Sequence, residues 1–198
     1  MKTIASLLMA AVLIPALSAF GPVDAPSWKI DGSHSSVSFN VNHFLVPVEG
    51  RFNNFEGEIK LAKDNLLNSS VSFSIDVASV DTRDEKRNKH LQSGDFFDAK
   101  KFPKMTFVST KFEDKGNGNL VVHGKLTIKD VTKDVTIPFK ILGEMQHPMK
   151  KNMLVSGIQL ETTINRNDYG VGSGSWAATA VVGDEVDIKV TLELTRNA

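Results

Sequence analysis

The residues of this 198-residue chain that could carry chemistry form three polar clusters, each at an end of a predicted strand. The clusters comprise residues 31–35, 90–98 and 166–170, and they contain histidine, aspartate and arginine side chains. Such groups can donate and accept protons near neutral pH. One hypothesis is therefore a hydrolase or isomerase that uses His90, Asp95 and Arg166 as its acid/base groups.

Several other chemistries have no support in the sequence. The chain has no cysteine, so it lacks a thiol nucleophile, and it contains no Gly-x-Ser-x-Gly motif. Residues 172–177 imitate a dinucleotide fingerprint, but they lie between predicted antiparallel strands and not in a βαβ unit. The five histidines form no pair at metal-binding spacing. We therefore predict no cofactor and no metal.

The balance of charge argues against a polyanionic partner. The chain carries 23 basic and 23 acidic side chains, so its formal net charge is zero. Binding to nucleic acid relies on clustered positive charge. We predict no nucleic-acid partner, and a homodimer is left open.

Arg166 has two interpretations that the sequence leaves open. It follows a predicted strand, it precedes a glycine-rich loop, and Asp168 lies two residues further on. It could be mostly buried in a structural ion pair with a carboxylate. Alternatively, it could contact the head group of a ligand.

The elements that must position these clusters are strands. Between residues 69 and 79, Val71, Phe73 and Ile75 alternate with polar residues, as expected of a strand with one buried face. Eight such segments follow one another through short loops. We predict an all-β fold, an extended eight-stranded antiparallel up-and-down barrel, with a two-sheet sandwich as the alternative. A slip of phase at Asn53 and Asn54 predicts a bulge.

The apolar face of these strands predicts the residues that line a tunnel. Glycine and serine interrupt that face, which would leave room for a ligand; alternatively, the glycines mark bends. The predicted lining residues share the apolar parity of their strands: Phe39, Val41, Phe52, Phe73, Ile75, Phe107, Phe139 and Ile158. To these we add Arg166 and Tyr169 from the third polar cluster.

One segment of the barrel chain, residues 81–107, has the pattern of a helix. Asp81 or Thr82 could cap it, with Asp84 and Glu85 in the first turn. Phe96 and Phe97 are apolar residues in a charged segment. We predict a short helical lid whose two phenylalanines pack at or into a barrel mouth and touch the ligand.

The N-terminus resembles an export signal. Residues 1–19 combine Lys2, an apolar run and small residues before a cleavage point after Ser18 or Ala19. We expect residues 1–19 to be a cleaved signal peptide, residues 20–198 to form one domain, and the mature protein to be periplasmic.

The order of motifs along the chain resembles the YceI-like family, an exported lipocalin-like family associated with polyisoprenoid binding. The resemblance rests on short motifs that span nearly the whole mature chain, among them DGSHSSVSFNVNH, VEGRFNNFEG, HLQSGDFFD, FPKMTFVS, GKLTIKDVT and INRNDYG. It implies a lipocalin-like barrel with an apolar tunnel for a polyprenyl lipid or the tail of an isoprenoid quinone. It brings no catalytic residue with it.

The leading functional hypothesis is therefore a periplasmic binding or carrier protein for an isoprenoid, and not an enzyme. A stress-induced periplasmic protein with an incidental cavity is the alternative, and the hydrolase or isomerase described above, acting as a lipid-modifying enzyme, is a weaker one.

Overall fold

Alternating apolar and polar residues form a single antiparallel sheet in the computed structural model, which describes residues 24–178 and 180–198. The strands are β1 (Ser27–His43), β2 (Val46–Phe52), β3 (Phe55–Lys60), β4 (Ser70–Asp76), β5 (Val80–Asp81), β6 (Lys104–Asp114), β7 (Leu120–Ile128), β8 (Val131–Gln146), β9 (Met153–Asn165) and β10 (Val182–Asn197). The helices described are α1 (Glu85–Leu91) and four 3-10 turns, Leu66–Asn68, Val77–Ser79, Arg166–Tyr169 and Gly174–Ala177. None of the described helices is long and apolar enough to span a membrane.

The ten segments form eight barrel strands. β2 and β3 are one strand interrupted at Asn53 and Asn54, where the slip of phase predicted a bulge. β4 and β5 are similarly separated by the turn Val77–Ser79. Consecutive strands pair antiparallel, and β10 returns to pair with β1, with Val37 opposite Val190. This confirms the predicted up-and-down barrel, and closure leaves no open edge.

The barrel has two ends with different covers. At the base end, the chain enters before β1, and loops 61–69, 115–119 and 147–152 connect the strands. At the lid end, residues 82–103 and 166–178 cross the opening, and the β1–β2 turn projects. These two names are used for the ends below.

Side chains fill the base end. Trp28 is buried there, its indole N–H donates a hydrogen bond to the carbonyl of Leu61 at 3.1 Å, and the Arg196 guanidinium lies 4.9 Å from its ring centre. Leu194 is 0% exposed. The base end is therefore an ordinary packed core.

The predicted helix is present but shorter than its segment, and its cap differs from the expectation. Asp84 caps α1, because its carboxylate accepts a hydrogen bond from the backbone N–H of Arg87 at 2.9 Å. Asp81 instead accepts from the backbone N–H of Arg83, and the buried Thr82 donates through its hydroxyl to Asn88. Several aspartates compete for the cap here, and only the backbone path decides between them.

Candidate functional site

An elongated cavity runs along the barrel axis. Its volume is about 240 Å³, and among the described residues 34 line it. Thirty of these are apolar, and eight are phenylalanines; the four polar ones are Ser38, Thr162, Arg166 and Tyr169. The volume lies just below the roughly 300–1,000 Å³ of sites for drug-sized ligands. The cavity suits a slender apolar chain, and a bulkier ligand would require the walls or the lid to move.

All twelve residues that the sequence predicted for ligand binding line this cavity. They come from six of the barrel strands and from the two segments that cover the lid end: Phe39, Val41, Phe52, Phe73, Ile75, Phe96, Phe97, Phe107, Phe139, Ile158, Arg166 and Tyr169. Their contact with a ligand stays a prediction.

Other lining residues were missed although their signal was present in the sequence. Val122, Leu126, Leu160, Ile164, Ile188 and Val190 share the inward parity of their strands. Leu91 and Val171 come from the covering segments, where no alternation along a strand indicates which side chains face inward.

The glycines of the inner face do not leave the room that the sequence suggested, because phenylalanine rings lie over them. A Cβ atom at Gly50 would come within 2.2 Å of the ring of Phe39, which lies directly opposite on β1. A Cβ at Gly57 would meet the ring of Phe73 at 2.9 Å, again directly opposite. Each ring occupies the space that a neighbouring side chain would take, so it lies against the wall and away from the axis.

Gly124 repeats this arrangement with less tolerance. A Cβ there would lie 2.5 Å from the ring of Phe107 and 2.5 Å from the carbonyl oxygen of Val108. A ring can rotate away, whereas the backbone oxygen cannot. The three glycine–ring pairs thus set the bore of the cavity.

Aromatic rings continue from the wall to the lid. Phe39 lies 5.6 Å from Phe52, and Phe52 lies 5.9 Å from Phe97 in an edge-to-face contact. Such spacings are typical of favourable ring pairs. Phe97 therefore joins the lid to the barrel wall.

The two covering segments also bind each other. Trp176 lies 5.7 Å from Phe96 and 4.9 Å from His90, and the backbone N–H of Ser173 donates to the carbonyl of Asp95 at 2.7 Å. These contacts form what we call the lid latch, defined by His90, Asp95, Phe96, Ser173 and Trp176. Opening the lid requires this latch to separate.

Arg166 is buried, as predicted, but its predicted carboxylate partner is wrong. Its guanidinium donates to the carbonyls of Gly183 (2.7 Å), Val171 (2.8 Å) and Val182 (2.8 Å) and to the side-chain oxygen of Asn167 (3.1 Å). Asp168 pairs instead with Lys133 at 3.0 Å. Backbone carbonyls outcompete a carboxylate because those of Val171, Val182 and Gly183 surround the guanidinium.

The loop after Arg166 accounts for the glycine at position 172 and for the lowered pKa of Arg166. Gly172 has φ +91°, and a Cβ there would lie 2.2 Å from the Arg166 guanidinium, so the loop closes on the arginine only with glycine at this position. Burial lowers the pKa of Arg166 from its ordinary value, while the Asp184 carboxylate opposes that change. Burial also raises the pKa of Tyr169, so its phenol keeps its proton at neutral pH.

The three polar clusters are not brought together. Residues 31–35 lie towards the base end on the outer surface, where His34 Nδ1 lies 3.1 Å from the Asp31 carboxylate and 3.6 Å from Glu193. His90 Nε2 pairs with Asp95 at 3.0 Å in the latch. Neither His90 nor Asp95 lines the cavity that Arg166 borders. The acid/base arrangement imagined for an enzyme is therefore not assembled among these residues.

Comparisons with known proteins agree with this architecture. Residues 28–194 match the YceI-like domain. A UPF0312 protein of Shewanella sp. strain ANA-3 is 37% identical over 186 residues, covering 92% of this chain and 95% of the relative.

Solved structures give the same fold. BcnA of Burkholderia cenocepacia is 33% identical with a TM-score of 0.75, covering 85% of this chain and 99% of that one. A polyisoprenoid-binding domain from Saccharophagus degradans, implicated in plant cell wall breakdown, superposes with a TM-score of 0.61 over 84% of this chain and 97% of its own. At 16% identity, that likeness concerns the fold alone.

Proposed function

Since this chain belongs to the YceI-like family, we propose that it is a binding protein whose barrel holds a slender apolar chain of the isoprenoid class. The observation that carries the proposal is the cavity itself. Thirty of its 34 lining residues are apolar, and they extend from Phe112 near the base end to Val41 near the lid end. A wall of this composition selects length and hydrophobicity and offers few fixed polar partners.

An isoprenoid chain matches these properties. It is long, thin and apolar, and each buried CH₂-sized group contributes about 0.8 kcal/mol. The ring of Phe97 and the latch around Trp176 close one end over it. A polyprenyl lipid and the tail of an isoprenoid quinone share this chemistry; the polyisoprenoid-binding domain of similar fold supports the ligand class.

The polar lining groups are few, and the charged one among them is already engaged. Four hydrogen bonds hold the Arg166 guanidinium to its own loop. A head group would therefore meet Tyr169, Ser38 or Thr162, or it would extend beyond the lid end. The alternative in which the cavity is incidental differs in one respect: the isolated protein would carry no stoichiometric ligand.

Catalysis finds little support in this geometry. The only histidine and carboxylate of the predicted acid/base set pair with each other in the latch, outside the lining. We therefore place the protein among carriers, and from the signal-like N-terminus of the sequence we place it in the periplasm, where it would hold the lipid during transport between membranes.

Organic extraction of the protein isolated from its export compartment, followed by mass spectrometry, tests the proposal. We expect one isoprenoid lipid per chain. Val190→Phe, which enlarges a buried lining residue, should abolish it. Val108→Phe on the half-exposed outer face of β6 is the matched control and should leave it. Equal, substoichiometric lipid in all three proteins would reject the proposal.

A further inference from the structure

The tip of the β1–β2 hairpin carries three consecutive exposed apolar side chains. Phe44 is 62% exposed, Leu45 94% and Val46 66%. Exposed apolar residues elsewhere, such as Leu67 and Met149 at the base end, do not form a run of three. Large apolar side chains gathered in this way on a surface mark an interaction site. We call residues 44–46 the apolar tip.

In the apolar tip, Phe44 adopts a backbone conformation that is unfavourable for a bulky residue. His43 pairs with Val46, so Phe44 and Leu45 form a two-residue turn. Phe44 has φ +53°, a left-handed conformation that glycine, asparagine and aspartate adopt far more readily than a bulky residue. Its ring contacts that of His43 at 4.5 Å and is not part of the core. An exposed phenylalanine in a strained turn is explained by what its side chain binds outside the molecule.

The apolar tip lies beside the part of the cavity wall that is least buried. The backbone N–H of Phe44 donates to the carbonyl of Val181 at 2.9 Å, and the next residue, Val182, lines the cavity, as does Val41 on the hairpin. Along β10 the inward residues are buried at Val190 and beyond but only half-buried at Val186 and Ile188. Access to the cavity thus increases towards the tip.

The arm that presents the tip has no permanent charge. Between Asp31 and Glu49 the sequence contains no aspartate, glutamate, lysine or arginine. A segment of that composition can enter the interfacial region of a bilayer without removing charge from water, provided that its backbone hydrogen bonds remain paired. In β1 and β2 they are paired from Val37 to His43.

A second protein surface fits this tip less well than a lipid surface does. Three side chains supply on the order of 450 Å² even at about 150 Å² each. A stable interface buries about 800 Å² on each partner. The boundary of a bilayer is deformable and accepts a small convex group.

From these observations we infer that the apolar tip docks the lid end of the barrel on a lipid bilayer, so that an apolar chain passes between the bilayer and the cavity beside Val41 and Val182. This inference rests on the proposed function, since it names the surface from which the same cavity is filled. The bilayer is recognised by its apolar interior, and no charged lipid is required.

The test uses local reporters in full chains mixed with phosphatidylcholine vesicles that contain brominated acyl chains, which quench tryptophan on contact. Phe44→Trp places an indole at the tip, and Met149→Trp places one at the base end, where the side chain is even more exposed. We expect the added fluorescence of Phe44→Trp to be quenched at least threefold more than that of Met149→Trp. Because the readout is local, it does not respond to vesicle binding through the N-terminal segment.

A second variant removes the tip without endangering the fold. Phe44→Asn with Leu45→Ser places an asparagine in a conformation that it tolerates, so the melting temperature should not fall. Transfer of a fluorescent isoprenoid from vesicles should slow at least tenfold, whereas Leu67→Ser with Met149→Ser should not slow it. Binding of farnesol added directly in solution should be the same in all proteins.

The outcomes separate the two proposals. Equal quenching at both ends, or unchanged transfer in the tip variant, overturns the docking inference and leaves the proposed function standing. Absence of farnesol binding together with quenching at the tip overturns the proposed function and leaves a membrane-docking barrel. A dimer in analytical ultracentrifugation that the tip variant abolishes would also overturn the inference, in favour of a second copy.

Discussion

The base end and the lid end are built from the same strands and the same alternation, yet they solve different problems. All four inward residues of β10 line the cavity, but Leu192 and Leu194 towards the base are buried, whereas Val186 and Ile188 near the lid are only half-buried. Trp28 closes the base through its hydrogen bond to the carbonyl of Leu61 and through the contact of its ring with the Arg196 guanidinium. The lid end is closed by segments that hold each other through the latch. Stability and access are therefore assigned to opposite ends of one barrel.

The largest expected effect tests the base as a packed core. Leu194→Ala should lower the free energy of unfolding by about 3–5 kcal/mol, because it empties a fully buried position. Ile188→Ala, which removes an inward side chain of the same strand that is only half-buried, should cost only about 2 kcal/mol. Denaturant unfolding of both variants measures the difference. Equal losses would mean that the lid end is as tightly packed as the base.

The next effect concerns the arginine that shapes the lid loop. Arg166→Ala leaves the carbonyls of Val171, Val182 and Gly183 without their donor, and we expect a loss of about 3 kcal/mol. Arg51→Ala removes an exposed arginine that bonds Asp81, and it should cost under about 1 kcal/mol. If Arg166→Ala were as stable as wild type but bound no isoprenoid, the arginine would serve the head group after all.

A smaller loss of stability is expected from the lid itself, with a larger effect on access. Phe96→Ala combined with Phe97→Ala weakens the latch and the contact with Phe52. The loss of global stability is limited to the free energy of opening the lid, which we expect to be about 2 kcal/mol. The off-rate of a fluorescent isoprenoid should rise at least tenfold, whereas Val108→Ala, on the outer face of β6 and outside the lining, should change it little. A large drop in melting temperature with an unchanged off-rate would make the lid ordinary core.

The smallest effect lies at the base surface. Ion pairs with Lys111 and Lys115 lower the pKa of Glu113 to about 2, from an ordinary 4.5. Because the folded pKa is depressed, the stabilisation is present above pH 4.5 and is lost as the pH falls towards 2. NMR titration should show this pKa, and Lys111→Gln with Lys115→Gln should return it towards 4.5. Lys125→Gln, whose partner is Asp134, should leave it unchanged.

The fold could be predicted from the sequence because it depends on the alternation of apolar and polar residues along each strand. The eight strands, their antiparallel order and the interruption at Asn53 and Asn54 all follow from patterns among residues that are neighbours in the sequence. The twelve predicted site residues line one cavity for the same reason, since parity along a strand decides which side chains face inward.

What the sequence did not predict depends on pairs of distant segments. The carbonyl partners of Arg166 belong to backbone that any residue provides, so no side chain in the sequence signals them. The latch between His90 and Trp176 joins positions 86 residues apart without a periodic signal. The glycine–ring pairs require the register between two strands, which determines that Phe39 lies opposite Gly50.

The glycine–ring pairs also constrain which substitutions the protein can accept during evolution. A side chain larger than hydrogen at position 50 is harmful while residue 39 is phenylalanine, and it becomes tolerable once residue 39 is smaller. The two sites should therefore be inherited as a unit, and a double-mutant cycle of Gly50→Ala with Phe39→Leu should be strongly non-additive. Gly57 with Phe73 should be less strongly coupled, because a Cβ at Gly57 would also lie 2.9 Å from the carbonyl oxygen of Ser72, which cannot move away. Lineages of this barrel could then change the calibre of the tunnel in matched steps, one strand pair at a time, and so pass from one chain thickness to another without losing the barrel.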